Sequence, residues 1–97
     1  MRELVLTAKF KRALRKFVKR NPDLKNRVES TLQQMEIDIF AQSLKTHKLS
    51  GNLADGNACS CGYDCRIIFT IEKDAETGVE SIILINVGTH DDVYWLS

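Results

Sequence analysis

The sequence predicts an α+β domain: an N-terminal strand, a two-helix hairpin, then an antiparallel β-meander, in the order βααβββ. Three observations predict it. Apolar residues recur at helical spacing from Phe10 to Ile39. Residues 65–87 switch to two strand-like runs divided by a Gly-containing turn. Between these regions lies a segment of Ser, Thr, Asn, Asp and Gly that reads as loop. Helices grouped ahead of a run of strands pack on one face of a small antiparallel sheet. At 97 residues the chain forms a single domain, 1–97, able to bury a small core.

Leu4-Val5-Leu6 is a short apolar run and a first strand. Thr7 follows in the place of an N-cap. Phe10, Leu14, Phe17 and Val18 then form one apolar stripe, while Lys9, Lys11, Arg12, Arg15, Lys16, Lys19 and Arg20 fill the other faces. Asn21-Pro22 restarts the helix, with Asn as cap, Pro at the first helical position and Asp23 at the positive end of the dipole. Leu24, Val28, Leu32, Met35 and Ile39 continue the stripe, and this helix ends between Ile39 and Gln42. The two helices make a hairpin with almost no loop.

Residues 43–62 are loop, with short strands near Lys48-Leu49 and Ala58 to Ser60. Cys65 to Ile71 is a strand, Asp74 to Gly78 a turn, and Val79 to Val87 a strand apolar on both faces. Consecutive strands joined by a short turn pair antiparallel. The expected core joins the helix stripes to Ile67, Phe69, Ile83 and Ile85.

Composition narrows the function. Apolar residues at 43% and charged residues at 28% are ordinary for a globular protein. No apolar run is long enough to span a bilayer, and no signal-peptide pattern opens the chain, so a cytoplasmic protein without a membrane partner is expected. Cys59, Cys61 and Cys65 crowd into seven residues. An odd count so placed reads as reduced thiols in a strand and turn. A structural metal site would need a fourth ligand, His47 or His90. Charge is unevenly spread. Residues 1–48 hold 12 Lys and Arg against 5 acidic residues, or +7, and residues 49–97 hold 2 against 8, or −6. Such asymmetry suits a polyanion or an acidic partner on one surface.

Candidate chemistry collects in three places. Arg66 interrupts an apolar strand, and its fork fits a phosphate or a carboxylate, or else pairs with Asp64 or Glu80. Lys45, His47 and Lys48 form a small basic cluster around an imidazole. Gly88-Thr89-His90-Asp91-Asp92-Val93-Tyr94 follows a strand end. In one helical turn His90 and Tyr94 fall on the same side, where an imidazole and a phenol suit acid–base work. Arg66 begins a strand that pairs with the strand ending just before His90, so both lie at one edge of the sheet.

Taken together, the basic first helix, "HKLSGNL", "DCRIIF" and "VGTHDDVY" resemble the RelE/ParE superfamily, toxins of type II toxin–antitoxin systems, over essentially the whole chain. The resemblance implies a ribosome-dependent mRNA endonuclease without a metal or other cofactor, in which a 2′-hydroxyl attacks its own 3′ phosphate. It further implies three macromolecular partners: a cognate antitoxin, the ribosome and mRNA. Arg66 matches the superfamily's phosphate-stabilising Arg, His90 its terminal His, and Tyr94 its terminal aromatic. Lys45, His47 and Lys48 fall where members carry basic residues. That adds His47 to the catalytic candidates and assigns Lys45 and Lys48 to substrate binding. Two alternatives stay open: a non-nucleolytic ParE-like or degenerate toxin that only binds its antitoxin, and a small Cys-based metal-binding module.

Overall fold

The computed structural model describes residues 2–49 and 56–94, apart from the side chain of Tyr94. Strand β1 (Glu3–Leu6) leads into helix α1 (Ala8–Arg20). Thr7 caps α1, accepting from the Phe10 amide at 3.1 Å. Its hydroxyl donates to the Leu84 carbonyl at 2.7 Å, so the cap also pins the helix start to the sheet.

The junction after α1 departs from the expected restart. Asn21 does not cap the second helix; its side-chain amide donates to the Phe17 carbonyl at 3.1 Å and so closes α1 from behind. Pro22–Leu24 is a 3-10 turn, and α2 runs over Lys25–Ile37. Asp38 stops α2 with an extended backbone, and its carboxylate accepts from the Phe40 amide at 3.0 Å. Ile39 is nevertheless fully buried. A second 3-10 turn, Gln42–Leu44, leads to β2 (His47–Lys48). Three strands complete the meander: β3 (Asn57–Ser60), β4 (Arg66–Lys73) and β5 (Glu80–Gly88). A short helix, α3 (His90–Tyr94), follows.

The five strands form one sheet in the order β1-β5-β4-β3-β2. The meander is antiparallel as expected, but β1 pairs parallel with β5, from Glu3 opposite Ser81 to Leu6 opposite Leu84. A three-residue apolar run declares a strand; it carries no signal of partner or direction. The helices lie on one face. Phe10, Phe17, Val28, Met35, Ile39, Cys59, Ile67 and Phe69 make the main core. Truncating a residue such as Phe69 there would cost about 3–5 kcal/mol.

On β5 the core face is Ile82, Leu84 and Val87, not Ile83 and Ile85. The register is irregular: Ile68 lies opposite Asn86 and Phe69 opposite Leu84, which leaves Ile85 over. Ile85 points to the outer face, against Ala58, Ile68 and Val93. A strand apolar on both sides gives alternation nothing to choose between.

Candidate active site

The outer face gathers part of the predicted set. In β4, Ile67, Phe69 and Ile71 meet the helices, so Arg66, Ile68 and Thr70 stand on the other side. Arg66 lies opposite Ser60 on β3 and Gly88 on β5. His47 lies opposite Ala58, which lies opposite Ile68, so His47 shares this face with Arg66. Val93 of α3 packs on Ala58 and Ile68, and brings the helix that bears His90 across the same face.

Helix α3 is held at both ends of its first turn. The Thr89 hydroxyl accepts from the Asp92 amide and the Asp92 carboxylate accepts from the Thr89 amide, both at 3.1 Å. Asp92 packs so closely on Gly88 that a Cβ there would stand 2.8 Å from the Asp92 Cβ. Asp64 reaches across from the β3–β4 turn and accepts from the His90 amide at 2.9 Å. Asp64 is therefore not the partner of Arg66. Glu80 is not either; it pairs with Arg2 at 3.2 Å.

Arg66 is held by backbone carbonyls instead. Its Nη1 donates to Cys65 O at 2.9 Å and to Gly62 O at 3.2 Å. Gly62 and Asp64 both take positive φ in this turn. Cys61 and Cys65 are joined across it by a disulfide, with Cα atoms 5.0 Å apart, which replaces the reduced pair expected from the sequence. Cys59 is the free cysteine. Burial pushes its thiol up to about 12, against the pull of Arg66. Among the described residues, no group of three or more His, Cys, Asp or Glu is arranged to hold a metal ion.

Arg66, His90 and Lys45 line one cleft of about 520 Å³, together with Arg27, Ser60 and Asp64. Lys45 is presented by a left-handed residue conformation, φ 52°, in a segment closed by the Thr46 hydroxyl donating to Ile39 O at 2.6 Å. His47 and Lys48 line a separate hollow of about 460 Å³ with Phe40 and Asn57. The His47 Nδ1 lies 3.0 Å from Lys45 O. His90 is largely exposed, with Nδ1 3.8 Å from an Asp91 carboxylate oxygen. The Tyr94 backbone ends α3; its proposed role falls on a side chain outside the described residues.

Sequence reasoning missed Arg27, and of the alternatives it left open for Arg66 the pairing with Asp64 or Glu80 does not form. Arg27 reads as one more surface cation of a basic region. Only the fold lays its side chain over Gly62, where an added Cβ would meet Arg27 Cγ at 3.4 Å. The Asp64 bond shows itself only with the folded turn, where this short polar residue takes the left-handed conformation.

Solved structures share this architecture. YafQ from E. coli strain BL21(DE3) superposes with a TM-score of 0.77 at 14% identity, over 97% of this chain and 99% of that one. YafQ in the E. coli DinJ–YafQ complex gives 0.67 at 16% identity, over 97% and 99%. A YoeB/ParE toxin from Agrobacterium tumefaciens gives 0.71 at 14% identity, over 91% and 98%. The fold is thus that of the RelE-superfamily toxins. No curated protein is a significant match by sequence. The family model for YafQ, bacterial toxins of type II toxin–antitoxin systems, matches residues 2–94, and the chain belongs to that family.

Proposed function

We propose that this toxin is a ribosome-dependent mRNA endonuclease that works without a metal, by attack of a 2′-hydroxyl on the adjacent 3′ phosphate. One observation carries the reading: Arg66, Lys45, Arg27 and His90 line a single cleft. Attack forms a 2′,3′-cyclic phosphate and expels the 5′-oxygen of the next nucleotide. The nucleophile belongs to the RNA, so the protein has to place cations and move two protons. Arg66 offsets the charge that builds on the phosphoryl oxygens. Its Nη1 is already fixed by two carbonyls, so little reorganisation is needed at the moment of reaction. His90 exchanges a proton with the 2′-hydroxyl or the leaving oxygen. Tyr94 acts with it, as a proton donor or as a stacking surface for a base. Lys45 and Lys48 guide the RNA backbone, and His47 serves from the neighbouring hollow at the β2 edge of the sheet.

An antitoxin holds the toxin in check in this reading. Leu14, Val18, Val28 and Leu32 line a groove between α1 and α2 that Arg15, Lys19 and Lys25 flank. This suits an acidic amphipathic segment that folds as it binds. E. coli YafQ has been solved in complex with DinJ. Among the described residues no helix is long and apolar enough to cross a membrane, and the proposed site of action is the cytoplasm.

The test is translation-dependent mRNA cleavage by wild type, Arg66→Ala, His90→Ala and Tyr94→Phe, with growth measured in parallel. Three variants as toxic as wild type would remove this site. A wild type that binds its antitoxin and cleaves nothing on ribosomes would be a non-nucleolytic toxin.

A further inference from the structure

The Cys61–Cys65 disulfide is not used by the proposed chemistry, yet it spans the turn whose residues line the cleft. It closes the turn Gly62-Tyr63-Asp64, and that turn holds both sides of the site. Gly62 O and Cys65 O receive the Arg66 guanidinium, and the Asp64 carboxylate receives the His90 amide. A cross-link between two ordinary core positions would bear only on stability. Here the linked turn sets where a cation and an imidazole stand relative to each other.

We propose that Cys61 and Cys65 form a redox-modification site that arms the cleft: the oxidised turn holds Arg66 and His90 in register, and reduction by a dithiol releases them. The proposal rests on the cleft being the RNA-cleaving site. Three observations support it. Both sulfurs sit in the main core, at 1% and 0% exposure, while Tyr63 at the tip of the turn is 97% exposed. Exchange therefore proceeds from an opened turn, a local event that leaves the core in place. Reduced cysteines are small and apolar enough to remain in that core, so the fold survives the change. Cys59 does not compete, because its Sγ is buried against Met35 Sδ at 3.8 Å and its raised thiol forms little thiolate. In a reducing compartment, disulfides are characteristically transient and redox-sensing.

The chemistry balances as a two-electron exchange. A thiolate of the reductant attacks one sulfur of the pair, and a mixed disulfide forms as the other cysteine leaves as thiolate. The reductant's second thiolate then displaces the remaining cysteine and closes its own disulfide. The two protons lost by the dithiol end on Cys61 and Cys65. Oxidation runs in reverse, with a small-molecule disulfide as the electron acceptor.

The experiment uses the full chain, oxidised with glutathione disulfide or reduced with dithiothreitol. Readouts are free-thiol mass labelling, the His90 backbone amide resonance, and ribosome-dependent mRNA cleavage. Labelled after quenching in denaturant, free thiols should rise from Cys59 alone to all three cysteines. The His90 amide should shift, and cleavage should fall by about tenfold or more, as expected when a reacting group is misplaced. Cys61→Ala/Cys65→Ala should match the reduced protein and ignore dithiothreitol, while Cys59→Ala should respond as wild type does. If the double variant does not fold, reduced wild type carries the test alone. Full reduction that leaves the His90 amide and cleavage unchanged overturns the proposal, as does a disulfide that dithiothreitol fails to open. If neither redox form cleaves, the endonuclease reading fails, and the redox link is decided by the His90 amide.

Discussion

The two ends of the β4–β5 hairpin are built from similar residues to opposite purposes. At the distal end, Lys73 faces Glu80 and the turn closes on itself. The Asp74 carboxylate accepts from the amides of Glu76 and Thr77 at 2.7 and 3.1 Å, and Gly78 takes φ 74°. Every one of these bonds is local and exposed. At the other end, Arg66 faces Gly88, and the neighbouring Asp64 bonds an amide 26 residues away. An Asp in a turn can satisfy its own backbone or fasten a distant one. Only the second use builds a site, because it fixes groups that sequence separation would otherwise leave independent.

If that contrast is right, damage to the site end should reach activity and damage to the distal end should not. The largest effect is expected for Arg66→Ala, a loss on the order of a hundredfold or more in cleavage rate, with the melting temperature little changed. Gly88→Ala comes next. Its Cβ would stand 2.8 Å from the Asp92 Cβ and 3.0 Å from Asp92 Oδ2. The first turn of α3 has to move, at a cost of about 1–3 kcal/mol in stability. Cleavage should fall as well, since His90 moves with it. Gly78→Ala is the matched control. Its nearest neighbour would be the flexible Lys73 Cε at 4.0 Å, so the cost is left-handed strain alone. Urea melts should show about 1–2 kcal/mol, with cleavage intact. A Gly78→Ala protein that folds normally and loses activity would break the comparison.

The sequence made the fold legible because most of its signals are periodic. Thr7 as a cap, the Phe10–Phe17 stripe and the 67/69/71 face of β4 follow from spacing alone. Asn21 was misread because a short polar side chain beside a Pro can close the helix before it or open the one after it, and local sequence does not say which. The core face of β5 was misread because Ile82 to Ile85 are all apolar and the irregular register resets the alternation. At the site, Arg66 stood out as a cation within an apolar strand, and the hairpin logic correctly brought it beside His90. The bonds that hold them were not legible. A carbonyl of Gly62 and a carboxylate of Asp64 become partners only once the turn, with its positive φ values, has folded. The linked cysteines close a short loop, worth about 2 kcal/mol on a chain-entropy estimate. Spacing did not distinguish such a pair from two thiols.

The smallest expected effect tests the distal turn through pH. The Thr77 and Glu76 amides, in that order, hold the Asp74 carboxyl below its ordinary 3.8. A carboxyl depressed in the folded state adds stability above its unfolded value and loses it as pH falls through the folded one. Asp74→Asn keeps an acceptor oxygen but cannot ionise. The variant should therefore be slightly less stable than wild type at neutral pH. The gap should begin to close as pH drops below 3.8 and be gone once wild-type Asp74 is protonated. The group is fully exposed, so solvent screening keeps the effect small. Urea melts at neutral pH and at about pH 2 would measure it. A gap that stays constant with pH would assign the loss to altered hydrogen bonding instead of charge. A change in cleavage would show that the distal turn communicates with the site, and the division between the two ends of the hairpin would then be wrong.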